Sequence, residues 1–334
     1  MDRNLTLNLV RVTEVAAIQS AKFLGRGDKN AVDEAAVEGM REMFDDLDID
    51  GIVVIGEGEM DEAPMLYIGE QIGKAGENSV KVDIAVDPVD GTELVAKGLE
   101  NAIAVVAVAP RGDLFHAPDM YMHKLAAGPK AKDAVHMDLP IEVNLRRLAK
   151  ALNKEVSELT VSMLDRPRHA ELIRRVRATG ARIKLFRAGD IAAAIATCYK
   201  DSGVDLLIGS GGAPEGVIAA VAIKALGGVF QARLDPHTEE EIRRCKEMGI
   251  EDVDRILEIS DLVKGEDALF AATGVTDGDL MPGVVNLGNN RVRTSSLVLR
   301  VQTGTARKIE AVHILTRKPE YADQIGRASC RERV

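Results

Sequence analysis

Hydrophobic positions recur along this chain with two periods. Val32, Ala36, Val37, Met40, Met43, Phe44 and Leu47 return at steps of three and four, which predicts an amphipathic helix with one buried face. Leu9, Val10, Val15, Ala16 and Phe23 predict an earlier helix over 5–24, separated from it by the charged stretch Gly25-Arg26-Gly27-Asp28-Lys29-Asn30. Short apolar runs predict strands at 52–55, 82–86 and 102–109. Pro64 is expected to start a helix running through Ile72. Arg111-Gly112-Asp113 is expected to turn a hairpin whose return strand, 114–125, carries Tyr121.

After a helical stretch at 143–152 the texture changes. Apolar runs at 161–164, 183–186 and 204–208 alternate with helical patterns at 168–179, 191–198 and 214–226, as βαβ units of a parallel sheet do. Further strands are expected at 270–273, 291–302 and 308–315. The chain therefore reads as α/β, with an α+β metal-binding domain over 1–158 built on a mixed sheet and an α/β substrate-binding domain over 159–320 built on a largely parallel one. Residues 325–334 fit no pattern and are expected to be an appended tail.

Composition narrows the function classes. A chain of 334 residues with 46% hydrophobic content has room for two domains and a real core. Its net charge is −10, from 43 basic and 53 acidic residues, which argues against a general nucleic-acid face while leaving room for a local basic pocket. Cys198, Cys245 and Cys330 form no C-x-x-C pair, so neither a zinc ribbon nor a disulfide framework is indicated, and Cys198 reads as core packing. No apolar run reaches the ~18 residues of a membrane span. Met1-Asp2-Arg3-Asn4 has no signal-peptide pattern. The expectation is a soluble cytoplasmic protein with no membrane and no nucleic-acid partner.

The chemistry centres on Val82-Asp83-Ile84-Ala85-Val86-Asp87-Pro88-Val89-Asp90-Gly91-Thr92. An apolar strand runs into two carboxylates; Pro88 ends the strand pairing and Gly91 permits a tight turn. Asp87, Asp90 and the Thr92 hydroxyl then surround one small space suited to a hard divalent cation, Mg²⁺ or Mn²⁺. A plain surface turn would use the same residues. Gly56-Glu57-Gly58-Glu59-Met60-Asp61-Glu62 follows the 52–55 strand. If that strand pairs with 82–86, Glu57 arrives beside Asp87 and Asp90, and such carboxylates repel unless a cation lies between them.

Asp33, read in the first turn of its helix, is either at the edge of the buried face or a dipole partner. Gly209-Ser210-Gly211-Gly212-Ala213-Pro214-Glu215-Gly216 reads as a strand-to-helix loop whose amides approach an anion, with Glu215 a dipole partner or a fifth acidic ligand. Arg166 and Arg168 are surface residues or a phosphate clamp. Asp190 is an N-cap or faces a sugar hydroxyl. Tyr121 is a core ring or a ligand contact.

Taken together, Gly25–Asn30 with Asp33, Ile55-Gly56-Glu57-Gly58-Glu59-Met60-Asp61-Glu62-Ala63-Pro64-Met65, Asp87-Pro88-Val89-Asp90-Gly91-Thr92, Ala117-Pro118-Asp119-Met120-Tyr121-Met122 and Gly211-Gly212-Ala213-Pro214-Glu215-Gly216 resemble the bacterial class II fructose-1,6-bisphosphatases. The likeness runs in order from about residue 3 to about residue 320. The D-P-x-D-G-T element alone is shared with inositol monophosphatases and class I bisphosphatases.

The resemblance implies a layered α/β/α/β/α sugar-phosphatase fold. It implies hydrolysis of the 1-phosphate of fructose 1,6-bisphosphate in gluconeogenesis, with two or three Mn²⁺ or Mg²⁺ ions, by a homo-oligomer (dimer or tetramer). Its metal ligands fall on Asp33, Glu57, Asp87, Asp90 and Glu215. Its substrate contacts fall on Asp90, Gly91, Thr92, Tyr121, Arg166, Pro167, Arg168, Ala188, Gly189, Asp190 and Gly212. Lys29 and Asp61 match positions that matter for activity, and Thr92 would orient the attacking water with Asp33 or Asp61. The chain departs from the family at Asp90, where many members carry Glu, and at Ala188, where an acid is common. Rival expectations are a sedoheptulose-bisphosphatase, an inositol phosphatase and a non-catalytic sugar-phosphate sensor.

Overall fold

The computed structural model describes Met1, residues 3–58 and residues 64–318. The expectations for Asp61 and for the tail at 325–334 lie outside the described residues.

The helices are α1 (Arg3–Ala21), α2 (Lys29–Asp45), α3 (Thr92–Lys97), α4 (Ile141–Leu152), α5 (Ala170–Ala178), α6 (Asp190–Ala196), α7 (Ala213–Ala225), α8 (Glu239–Glu247) and α9 (Ile259–Leu262). The strands are β1 (Ile49–Ile55), β2 (Gln71–Ile72), β3 (Val80–Asp90), β4 (Ile103–Pro110), β5 (Tyr121–Ala127), β6 (Thr160–Leu164) and β7 (Arg182–Phe186). After them come β8 (Leu206–Gly212), β9 (Val229–Leu234), β10 (Leu257–Glu258), β11 (Leu269–Gly274), β12 (Val285–Gly288), β13 (Arg291–Arg300) and β14 (Thr305–Ile314).

They form five layers. α1 and α2 cover one face of the first sheet, whose order is β12-β13-β11-β4-β3-β1-β2 with β14 also on β13. α6 and α7 fill the space between the sheets. The second sheet runs β10-β9-β5-β8-β6-β7, and its far face packs on α4 and α5. This is the layered α/β/α/β/α arrangement. The sequence shows why. β4 is apolar at nearly every position because both its faces are covered. α7 buries nearly its whole circumference, from Ala213 through Ala225, as a helix between two sheets must.

Several local expectations are corrected. The second sheet is mixed: only β7, β6 and β8 run parallel, and β5, β9 and β10 join antiparallel. Neither sheet is continuous in sequence. β5 lies in the second sheet although it precedes residue 158, and β11 through β14 return to the first. The described residues from Pro64 to Ile72 form no helix. Leu66 at φ +55°, with Gly69 and Gly73 at +93°, folds the chain back so that β2 pairs antiparallel with β1, and the Glu70 carboxylate accepts the Leu66 N–H. The turn at Arg111–Asp113 does not return a strand to β4, because β11 occupies that edge. Instead the Asp83 carboxylate accepts the N–H groups of Gly112 and Leu114, Leu114 bridges to Val263, and the chain crosses to the second sheet. No helix among the described residues is long and apolar enough to cross a membrane.

Candidate active site

β1 and β3 are parallel neighbours, so their C-terminal ends open at one edge. Residues three apart on a regular strand face opposite sides of the sheet. Asp87 and Asp90 escape this rule through a bulge: Asp87 pairs with Val105 and Asp90 with Ile103, so β3 carries one residue more than β4 there. Pro88, with no N–H for the ladder, sits inside the bulge. Both carboxylates consequently reach the same cleft. Gly91, at φ +100°, then turns the chain so that Thr92 opens α3.

Other elements bring the remaining acids. Glu57 follows β1. Asp28 caps α2 through the Asn30 and Ala31 N–H groups, which places Asp33 in the second helical turn rather than the first, so the dipole explanation for it weakens. Glu215 lies in the first turn of α7. All five acids line one cavity of about 780 Å³, with Lys29, Gly91, Thr92, Tyr121, Arg166, Arg168, Ala188, Gly189, Asp190 and Gly212. Pro167 does not line it; it opens the short 3₁₀ turn that spaces Arg166 from Arg168.

The electrostatics record how closely the acids converge. Burial and then Asp33 push Glu57 up to about 8. Asp87 is raised well above the usual carboxylate range by burial, then by Asp90, Glu57, Glu215 and Asp33. Asp90 is raised by burial, Asp190 and Glu215, against the Ile191 N–H, which donates to its Oδ2 at 3.2 Å, and against Lys124. Burial also raises Asp33 and Glu215. Among the described residues, no three such side chains are already drawn around one point as an ion would hold them. The fit to a hard cation rests on the donors themselves: five carboxylates that disfavour one another's charge, and a Glu215 Oε2 that is buried without a hydrogen-bond partner.

The same cavity is also lined by Arg166 and Arg168. Arg168 donates from Nε and Nη2 to the Ser210 carbonyl, at 3.3 and 2.7 Å, and its guanidinium lies 4.6 Å from the Tyr121 ring centre. Tyr121 also stacks on His237, at 5.7 Å. Ser210 is fixed in turn, since its N–H donates to His169 Nε2 at 2.8 Å and the other ring nitrogen of His169 meets the Leu164 carbonyl at 2.7 Å.

The glycine run is strand where the sequence reading expected a loop. Gly209–Gly212 belong to β8, and three of these glycines are spaces for neighbours. A Cβ on Gly209 would lie 3.0 Å from the His169 ring; one on Gly211 would overlap Asp190, and one on Gly212 the Glu215 carboxylate. Asp190 is not an N-cap either. Gly189 holds that position, and the Asp190 carboxylate accepts from Lys124 at 2.6 Å. Sequence reasoning missed Lys124, His169 and Asp119, the last of which also lines the cavity. The signal for Lys124 was its place between Met122 and Ala126 on the inward face of β5, an odd site for an unpaired lysine.

Residues 3–313 match the family described as bacterial fructose-1,6-bisphosphatase, glpX-encoded. The chain is 47% identical to the D-fructose 1,6-bisphosphatase class 2/sedoheptulose 1,7-bisphosphatase of Synechococcus sp. (strain JA-3-3Ab), over 94% of this chain and 96% of that one. It is 46% identical to the fructose-1,6-bisphosphatase 1 class 2 of Escherichia coli (strain K12), over 95% and 97%. The family is one of metal-dependent phosphatases acting on a sugar bisphosphate. The chain therefore belongs to the bacterial, glpX-encoded fructose-1,6-bisphosphatases and is a phosphoric monoester hydrolase.

Proposed function

We propose that this cleft hydrolyses the 1-phosphate of fructose 1,6-bisphosphate, the gluconeogenic step, using Mn²⁺ or Mg²⁺ held by Asp33, Glu57, Asp87, Asp90 and Glu215. The observation that carries the reading is that five carboxylates and two arginines line a single cavity. Bound there, two or three divalent ions would neutralise the reacting phosphate and lower the pKa of a water.

The chain's own residues do the rest. Arg166 and Arg168 grip the second, non-reacting phosphate, and the grip is stiff because Arg168 is already anchored on Ser210 and on the Tyr121 ring. Tyr121, the Ala188-Gly189-Asp190 turn and Gly212 surround the sugar. Thr92 directs its hydroxyl to the attacking water, with Asp33 the described carboxylate able to take that proton; Asp61 is the alternative. Burial raises the Asp33 carboxylate, and Lys29, one helical turn before it, offsets part of that rise. Positioning and charge neutralisation suffice, so no covalent nucleophile is needed.

The division into a metal-binding segment, 1–158, and a substrate-binding segment, 159–320, is proposed as a division of labour. Four of the five acids come from the first, and Arg166, Arg168, Asp190 and Gly212 from the second. A cytoplasmic homo-oligomer, dimer or tetramer, completes the reading; light scattering on the purified protein tests the assembly.

The deciding assay is phosphate release from fructose 1,6-bisphosphate with and without each divalent ion. Sedoheptulose 1,7-bisphosphate and inositol monophosphate run beside it, the former because the Synechococcus relative's name includes that activity. Ion-dependent release with fructose 6-phosphate as product is expected. Substrate binding with no release under any ion would instead favour a sensor.

A further inference from the structure

One charged group beside the acidic cluster is left unused by this mechanism. Lys124 is only 4% exposed. It points from β5 into the middle layer beside Met122, where a cation is costly unless paired. Its Nζ donates to Asp190 Oδ2 at 2.6 Å, and Asp190 is itself 9% exposed. The pair adjoins two of the cluster's acids: Ile191, next to Asp190, donates its N–H to Asp90 Oδ2 at 3.2 Å, and Gly216, against which the Lys124 side chain lies, follows Glu215. Two glycines from different elements make room for Lys124. A Cβ on Gly211 of β8 would come 3.2 Å from its Nζ, and one on Gly216 of α7 would come 3.3 Å from its Cε.

We propose that Lys124 is a built-in cation of the acidic cluster: a positioning residue that tethers Asp190 toward the sugar and limits how strongly Asp90 and Glu215 draw divalent ions. This rests on the metal-cluster reading above. It makes a signed statement that a merely structural lysine would not. Removing a structural lysine loosens the site and weakens ion binding. Removing a charge-balancing lysine leaves the cluster more negative, so ions bind more tightly while the sugar is held less well.

The test is calorimetric titration of Mn²⁺ and of Mg²⁺ into the ion-stripped full-length protein at pH 8. Wild type, Lys124→Met, Lys124→Arg and Asp190→Asn are compared, each checked for folding by circular dichroism. Lys124→Met is expected to bind ions roughly tenfold more tightly and Asp190→Asn roughly tenfold more weakly, the scale of one charge acting on a divalent ion in a partly screened cleft. Lys124→Arg should stay near wild type. In the holoenzyme, Lys124→Met should raise KM for fructose 1,6-bisphosphate several-fold more than it lowers kcat. Equal or weaker ion binding by folded Lys124→Met overturns the proposal. If that variant does not fold, unchanged or tighter binding by Asp190→Asn overturns it. A wild-type protein that takes up no ion would instead defeat the metal-cluster reading itself.

Discussion

Replacing Glu57 by glutamine keeps the side chain's shape and removes its charge, and the cluster's electrostatics give the outcome a sign. In the ion-free protein, burial and the Asp33 carboxylate push Glu57 from the ordinary 4.5 to about 8. The folded state therefore holds a proton that the unfolded chain gives up. Below pH 4.5 both states are protonated and Glu57 costs nothing. As pH rises from 4.5 to 8 the unfolded chain ionises first, and folding loses about 1.36 kcal/mol per pH unit. The limit is on the order of 5 kcal/mol; water reaching a part-exposed carboxylate reduces the usable figure to about 2 kcal/mol. Urea unfolding in excess chelator should find Glu57→Gln more stable than wild type by about 2 kcal/mol at pH 8.5 and matched to within about 0.5 kcal/mol at pH 5. Adding Mn²⁺ should reverse the order, because wild type gains more from the ion. Phosphatase activity should be lost. An offset equal at both pH values, or a variant less stable at pH 8.5, would refute the claim that these carboxylates are held together at a cost.

The remaining expectations are more direct. Asp87→Ala should leave a folded protein whose phosphate release falls by about 10³ or more, in line with the loss of a preorganised electrostatic group; near-normal turnover would remove Asp87 from the ligand set. Arg168→Ala should raise KM for fructose 1,6-bisphosphate roughly 10- to 100-fold, the value of a charge-assisted hydrogen bond, with a smaller effect on kcat; an unchanged KM would remove it from the clamp. Gly209→Ala meets the His169 ring at a backbone φ of +151°, so thermal or urea unfolding should show a loss of about 1–3 kcal/mol, with KM rising as Ser210 and Arg168 shift. Burial pushes the Cys198 thiol up to about 11, so it should resist alkylation at pH 8 in the native state, and Cys198→Ala should retain kcat.

What could be read in the sequence divides along physical lines. Elements with a clean period were legible: α2 from its three-four spacing, β1 and β3 from short apolar runs, and β6 through α7 from their alternation. Their adjacency was legible too, because two acidic clusters at strand ends make sense only if β1 and β3 are neighbours. What failed was whatever depended on partners distant in sequence. The segment after Pro64 has helix-compatible residues, but three positive φ values and the waiting edge of β1 decide otherwise. The strand carrying Tyr121 belongs to the second sheet because β11, some 160 residues later, takes the edge of β4.

The glycine run shows what local chemistry left out. Gly209, Gly211 and Gly212 looked like amides offered to an anion, the usual use of such a run. In the fold they face three neighbours that need the volume a Cβ would take: His169 and the Lys124–Asp190 pair from elsewhere in the chain, and Glu215 three residues beyond Gly212. The strand is therefore glycine-rich for the sake of its neighbours: His169 braces the Ser210 on which Arg168 rests, Lys124 holds Asp190, and Glu215 lines the cavity. A single alanine in β8 should accordingly disturb a specific part of the site, according to which of the three it meets, before it disturbs the sheet.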